Sequence, residues 1–178
     1  MNLLLSIVML LSFQDQQAPF FPDLNKPAVK KMNQEIEAVF GNADISKVPV
    51  VISDERGIEL VHPVPAHALF FLKAGNDHLG YLYLSSASGR FENFDYMVLY
   101  NTDMVIEGIR ILVYRSDHGH EIMNKRWLQQ FVGTTGCGFS YPKDIQALSG
   151  ATYSAGSITS DLDRLCKSLK ELRALGIL

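Results

Sequence analysis

A hydroxyl-rich segment near the C-terminus contains the residues of this chain that are best suited to chemistry. It consists of Ser149, Gly150, Ala151, Thr152, Tyr153 and Ser154. An amphipathic helix pattern follows it directly. The first turn of a helix has unpaired N–H groups and the positive end of the helix dipole, and both attract a phosphate group. The segment therefore predicts a phosphate site in which the Thr152 hydroxyl could be esterified.

A second candidate segment lies upstream and combines a strand pattern with a polar turn. The strand pattern covers 105–114, and a short helix pattern with an aromatic residue and a final glycine covers 125–133. The turn between them reads Arg115, Ser116, Asp117, His118, Gly119, His120, Glu121 and Ile122. His118 and His120 lie two positions apart and no third ligand is indicated, so we interpret them as turn residues and predict no metal site.

Together, the two segments resemble FMN-binding domains. Such domains occur in the C subunit of sodium-pumping NADH:quinone reductase, in the G subunit of Rnf-type electron-transport complexes and in small exported bacterial flavoproteins. Ser149–Thr152 is similar to the flavinylation motif of that family. The turn at Ser116–Gly119 resembles the variant in the small exported members, where the larger complexes often have Glu-Thr-Pro-Gly. The likeness covers roughly residues 79 to 172.

The resemblance implies FMN held covalently by a phosphoester on Thr152. A separate magnesium-dependent flavin transferase makes this bond from FAD in the family. Further cofactor contacts are implied for the rest of Ser149–Ser154 and for Arg115, His118, Gly119 and Glu121. A threonine hydroxyl is a weak nucleophile without a base and a metal, and the sequence places no general base beside Thr152. An external transferase is the expected source of both.

The implied function is electron transfer outside the cytoplasmic membrane, with a membrane or periplasmic redox protein as partner. The family tends to place an Asp six residues before the acceptor, where this chain has Gln146. Gln146 is the main argument for the alternative, a cofactor-free binding or structural module of the same fold that has lost flavinylation.

Composition excludes some other functions. The chain has 178 residues and a net charge of −3, which predicts one domain and gives no basic surface for nucleic acid. The sequence also contains neither a Walker-type loop nor a Gly-x-Gly-x-x-Gly motif.

The N-terminus predicts export. Leu3–Phe13 is almost wholly apolar, which matches the core of a secretory signal and is shorter than the ~20 residues that span a bilayer. We therefore predict a signal peptide or lead-in over 1–18 and a single FMN-binding domain over 19–178. The expected location is the periplasm or the outer face of the cytoplasmic membrane. The alternative is that the apolar run is a first core strand or helix.

The elements that must position these residues form an α+β domain, an antiparallel sheet flanked by N-terminal and C-terminal helices. The first helix is predicted between Asn25 and Gly41, and the last from about 154 to 175 with Ser154 or Ser157 as its cap. Strands are predicted over 50–52, 68–72, 79–85, 96–100 and 105–114.

Three features of the last helix region are also predicted. An apolar stripe that should pack on the sheet consists of Ile158, Leu162, Leu165, Leu169 and Leu172. Asp161 and Asp163 should form solvated surface. Cys137 and Cys166 are expected to be a loop thiol and a buried thiol, with a disulfide in an oxidising compartment as the alternative.

Overall fold

The computed structural model describes residues 24–41, 44–52, 60–65 and 67–178. The predicted signal peptide over 1–18 lies outside these residues.

Within these residues, five antiparallel strands form one sheet in sequence order. They are β1 (Ile45–Pro49), β2 (Leu69–Ala74), β3 (Asp77–Ser88), β4 (Asn93–Asn101) and β5 (Ile106–Val113). The helices are α1 (Lys26–Phe40), the single-turn α2 (Lys125–Leu128) and the long α3 (Thr152–Ala174), with 3₁₀ turns at His120–Met123 and Gln129–Phe131. This arrangement confirms the predicted α+β class.

The sheet lies between two layers because its strands alternate side chains between two apolar faces. Leu82 and Leu84 of β3 belong to the core shared with α1, whereas Tyr81 and Tyr83 belong to the core shared with α3. The α1 layer buries Ala28, Met32 and Ile36. The predicted stripe of α3 is confirmed, since each of its five members is at most 4% exposed.

Local signals explain the ends of α1. The Asn25 side chain accepts a hydrogen bond from the Ala28 N–H at 3.0 Å, and Pro27 lies in the first turn. Gly41 ends the helix with φ of 86°, and its N–H donates to the Glu37 carbonyl. The predicted first helix is therefore confirmed.

The start of α3 differs from the prediction. The helix begins at Thr152 with Ala151 at the cap position, and no side chain caps it. Ser154 and Ser157 lie inside the helix, and the Ser157 hydroxyl instead accepts the Ser88 N–H at 3.0 Å. A cap residue must precede the first turn, so the prediction of a cap at either serine is wrong.

The prediction of two free thiols is also wrong. Cys137 and Cys166 form a disulfide with a Cα–Cα distance of 5.4 Å. The loop that carries Cys137 returns to α3 through Gly136 and Gly138, with φ of 80° and 79°. The two cysteines are 29 residues apart, so only this tertiary approach brings them together.

The first strand lies earlier than predicted. β1 covers Ile45–Pro49 rather than 50–52, although the Val50 N–H still donates to the Leu69 carbonyl at 2.9 Å. Its residues alternate between half-buried and exposed, with the polar Lys47 on the half-buried side. The residues that form β1 have no regular apolar pattern. The strand was therefore predicted at 50–52, where the residues are more apolar.

Candidate functional site

The N-terminus of α3 lines a cavity of about 730 Å³, here called cavity A. Three segments form it: the first turn of α3, the turn between β3 and β4, and the loop after β5. Its lining residues are Arg90, Phe91, Tyr114, His118, Gly119, Gly150, Ala151, Thr152, Tyr153 and Ser154. Sites for small ligands and cofactors typically measure about 300–1,000 Å³, so cavity A has the size of such a site.

The turn between β3 and β4 is fastened to α3. The Gly89 N–H donates to the Glu92 carbonyl at 3.0 Å and closes the turn. The Ser88 N–H donates to the Ser157 hydroxyl of α3 at 3.0 Å. A Cβ on Gly89 would lie 2.4 Å from the Glu92 carbonyl oxygen, so this tight closure requires glycine. These contacts set Arg90 and Phe91 at the edge of cavity A.

The loop after β5 is fastened by Tyr114. Its hydroxyl donates to the His118 carbonyl at 2.6 Å, and the His118 N–H donates to the Ser116 hydroxyl at 3.2 Å. Gly119 has φ of 86°, and a Cβ there would lie 2.5 Å from the Tyr114 oxygen. Glycine is therefore required on two grounds, and it lets the loop close against the tyrosine.

Glu121 lies beside the hydroxyl-rich segment without lining cavity A. A Cβ on Gly150 would lie 2.6 Å from the Glu121 carboxyl carbon, and Gly150 has φ of 86°. The absence of a side chain at Gly150 thus lets an acidic group approach the positive end of α3. The structure brings together the turn and motif segments that the sequence singled out separately.

Thr152 and Ser154 differ in their surroundings. Thr152 is exposed, and its hydroxyl donates only to the Leu148 carbonyl, at 3.4 Å, among the described residues. Ser154 is 2% exposed and lines cavity A, yet its hydroxyl has no hydrogen-bond partner in the described parts of the chain. The Ser154 hydroxyl is not itself enclosed, since the Tyr100 hydroxyl is the buried side-chain group without a partner among the described residues. It therefore reaches the wall of cavity A, where it can bond to a polar ligand.

Arg115 and Ser149 lie elsewhere than on cavity A. The Arg115 guanidinium forms an ion pair with the Asp95 carboxylate at 2.5 Å and donates to the Asn93 carbonyl at 3.0 Å. The hydrogen bond with Asp95 raises the pKa of Arg115. Arg115 therefore holds the start of β4 rather than the cavity.

Ser149 faces a second cavity of about 790 Å³, here called cavity B. Cavity B shares Thr152 and Tyr153 with cavity A, so Thr152 lies at the boundary between the two. Its other lining residues are Ser88, Tyr141, Pro142, Ala147, Leu148, Gly156, Ser157, Ser160 and Arg164.

Gln146 contributes through its backbone. Its carbonyl accepts the Trp127 indole N–H at 2.7 Å, and its N–H donates to the Gln130 side chain at 2.8 Å. The exposed Gln146 side chain lines neither cavity. The fold around this position thus depends on backbone groups that an Asp would supply equally.

Sequence reasoning missed Arg90, Phe91 and Tyr114 as lining residues. Arg90 and Phe91 fall between the predicted strands 79–85 and 96–100, and Tyr114 ends the predicted strand 105–114. The signal that could have pointed to Phe91 is a large aromatic residue in a polar turn, where its ring is 64% exposed.

The turn histidines contact aromatic rings. The His118 ring centroid lies 5.9 Å from that of Phe91, and the His120 centroid lies 5.2 Å from that of Tyr114. Within the described ranges, no group of three His, Cys, Asp or Glu residues could hold a metal ion.

Asp161 belongs to a buried polar network on the core side of α3. Its carboxylate accepts hydrogen bonds from the Tyr96 and Ser85 hydroxyls and pairs with Arg164 at 3.1 Å. Burial, and then the nearby carboxylate, raise the pKa of Tyr96 well above its ordinary value. The prediction of solvated surface is therefore wrong for Asp161, because the helix turns this residue toward β3 and β4.

Comparisons with known proteins give no family. No protein-family model matches the chain, and no curated protein matches it. None of the helices in the described residues is long and apolar enough to cross a membrane.

Proposed function

We propose that this chain is an extracytoplasmic electron carrier that holds FMN covalently through a phosphoester on Thr152. One observation carries the proposal. Thr152 is exposed and lines a cofactor-sized cavity at the uncapped start of a 23-residue helix, and Ser154 lines the same cavity. This is the position at which the resemblance to FMN-binding domains requires an attachment atom.

The phosphate of FMN fits the residues at the start of α3. The helix has no side-chain cap, so its first N–H groups can donate to an anion that lies clear of the Glu121 carboxylate beside Gly150. Gly150 and Ala151 add little bulk, and the Ser154 hydroxyl can donate from the cavity wall. The Arg90 side chain, which also lines cavity A, brings a positive charge.

The flavin ring fits the remaining lining. Cavity A contains the rings of Phe91, Tyr114, His118 and Tyr153. Aromatic surfaces of this kind favour a flat, largely apolar ring system. FMN supplies the redox chemistry when it is bound, and the protein supplies orientation, shielding and electrostatics.

The surroundings of Thr152 favour attachment by an external enzyme. Among the described residues, its hydroxyl contacts a carbonyl and no side-chain base. Transfer from FAD forms the bond between the Thr152 oxygen and the FMN phosphorus, breaks the pyrophosphate bond and releases AMP. The hydroxyl proton then passes to the transferase, since no side-chain base among the described residues is hydrogen-bonded to the Thr152 hydroxyl.

The disulfide supports a location outside the cytoplasm. Structural disulfides form and persist mainly in oxidising compartments such as the bacterial periplasm. The Cys137–Cys166 bond therefore agrees with the export that the apolar N-terminal run predicts. We propose a membrane or periplasmic redox protein as the electron-transfer partner.

Co-expression with a flavin transferase tests the proposal. We expect covalent flavin fluorescence in a denaturing gel, and a mass increase that maps to the 149–154 peptide. Thr152→Ala should abolish both, because it removes the attachment atom. Ser160→Ala is the matched control, since Ser160 is an exposed hydroxyl of the same helix outside cavity A.

Other outcomes have distinct meanings. Unmodified wild-type protein would refute the flavin proposal and favour the cofactor-free module. Gln146→Asp would then show whether restoring the usual Asp also restores flavinylation. Flavin mapped to Ser154 would keep the function but refute Thr152 as the acceptor.

A further inference from the structure

One wall of cavity A is aromatic and lies outside the motif segments. The Phe91 and His118 ring centroids are 5.9 Å apart with planes at 52°. The Arg90 guanidinium lies over the Phe91 ring, 5.4 Å from its centroid. Phe91 is 64% exposed as a residue, so the part of its ring that Arg90 and His118 leave uncovered can contact a ligand.

This wall is held in place before any ligand arrives. The turn that carries Phe91 is closed by the Gly89–Glu92 hydrogen bond and tied to α3 by the bond from Ser88 to Ser157. The His118 backbone is held by the Tyr114 hydroxyl on the neighbouring loop. A fixed aromatic wall orients a ring at a lower entropic cost than a mobile one.

We propose that Phe91 and His118 form the stacking wall for the isoalloxazine ring of the flavin attached at Thr152, with Phe91 as its main contact. This inference rests on the proposed function. A tricyclic flavin ring stacks favourably on aromatic side chains. The lining contributed by Gly150 and Ala151 is small, which leaves space for the ring next to the wall.

The choice of cavity A over cavity B follows from their side chains. Thr152 opens to both, and both are large enough. In cavity B the Tyr141 hydroxyl accepts the Leu148 N–H at 2.9 Å, and Arg164 is paired with Asp161. In cavity A the Phe91 ring is exposed, and Arg90 forms none of the ion pairs seen among the described residues. Cavity A therefore offers a second exposed aromatic ring besides the shared Tyr153, and a cation without a carboxylate partner among the described residues.

Flavin fluorescence measures the stacking. A flavin ring docked on the wall lies beside the phenol rings of Tyr114 and Tyr153, which quench its emission by electron transfer, so native flavinylated wild-type protein should emit less than the same protein after denaturation. In Phe91→Ala the ratio of unstacked to stacked flavin should rise about 2- to 10-fold, as expected for the loss of one aromatic pair. The readout is native emission divided by denatured emission, which corrects for differences in flavin loading.

Three further variants make the result specific. Phe91→Tyr should keep the low native emission, whereas Phe91→Leu should behave like Phe91→Ala although it keeps an apolar side chain. Leu175→Ala is the matched control, an exposed apolar residue that lies away from cavity A, and should match wild type.

The outcomes separate this inference from the proposed function. Equal, quenched emission in wild type, Phe91→Ala and Phe91→Leu would show that the ring lies elsewhere, and would overturn the stacking wall while leaving FMN on Thr152. Wild-type protein without covalent flavin would overturn both proposals.

Discussion

The first turn of α3 and the rest of that helix are built in opposite ways. The first turn exposes Thr152 and Tyr153, has no side-chain cap and leaves the Ser154 hydroxyl unpaired. The rest is fixed by a fully buried stripe, by the disulfide at Cys166 and by the hydrogen bonds of Asp161. The first turn of α3 therefore has polar groups without protein partners among the described residues, whereas several independent interactions hold the rest of the helix in place.

This difference shows how the fold can remain stable although polar groups at the start of α3 lack protein partners. Polar groups without partners cost stability, and they persist where the surrounding structure is held by other interactions. The rigid body of α3 also keeps the first turn in a fixed position relative to the β3–β4 turn. The contrast predicts large effects of substitutions in the body of the helix and small ones at its start.

The largest expected effect is at the centre of the stripe. Leu162 is fully buried, so Leu162→Ala should lower the free energy of unfolding by about 2–5 kcal/mol through lost burial and a residual cavity. Lys170→Ala, an exposed position on the same helix, should change it by less than ~0.5 kcal/mol. Denaturant melts measure both, and equal small effects would show that the stripe does not pack on the sheet.

Reduction of the disulfide should have the next largest effect. Because the bond closes a loop with a sequence separation of 29, reductant should lower the free energy of unfolding by about 2–4 kcal/mol. The double variant Cys137→Ala, Cys166→Ala is the control, and its melt should not respond to reductant. A wild-type melt that is unchanged by reductant would contradict a stabilising bond.

Alkaline pH should weaken the fold through the buried tyrosines. Burial, and then the Asp161 carboxylate, raise the pKa of Tyr83 from 10.0 to about 12. The unfolded chain loses this proton near pH 10, so the stability that depends on neutral Tyr83 is complete below pH 10. It is then lost as the pH rises to about 12, by at most about 3 kcal/mol.

Tyr83→Phe tests this assignment. The variant should lose less stability than wild type between pH 10 and 12, as measured by denaturant melts across that range. Tyr153→Phe changes an exposed tyrosine, and its free energy of unfolding should fall between pH 10 and 12 as it does in wild type. If the free energy of unfolding of Tyr83→Phe fell between pH 10 and 12 as steeply as that of wild type, other groups would cause the alkaline loss of stability.

The smallest expected effect is at the start of α3. Ser154→Ala removes a hydroxyl that reaches the wall of cavity A and has no protein partner in the described residues, so it should leave the free energy of unfolding within ~0.5 kcal/mol of wild type. Thermal melts of the unflavinylated protein measure this. A loss above ~1 kcal/mol would mean that the hydroxyl supports the fold and that the first turn is not unsatisfied.

The sequence was sufficient where the signals are local. Asn25 and Gly41 mark the ends of α1 through their own backbone preferences, and the period of the α3 stripe identifies its buried face. The strands β2 to β5 follow from apolar runs separated by short turns. The hydroxyl-rich segment was located for the same reason, since its small residues and the helix after it are contiguous.

The remainder depends on contacts between distant segments. Phe91 reaches cavity A only because Ser88 bonds to Ser157, 69 residues away. The partner of Cys137 and the orientation of Asp161 likewise depend on how the chain packs on α3. Arg115 shows the reverse case, because the resemblance to FMN-binding domains implied a cofactor contact, whereas a long-range ion pair with Asp95 engages it in the fold.

The exposure of cavity A has a consequence for how firmly it must hold its ligand. Phe91 and Tyr153 are 64% and 59% exposed, so the cavity is too open to retain a free cofactor by enclosure. A covalent link at Thr152 makes ring docking intramolecular, with an effective concentration on the order of millimolar for a short flexible tether. A weak preference for the aromatic wall would then keep the ring docked most of the time, and the same weakness would allow it to leave and present its edge to a partner.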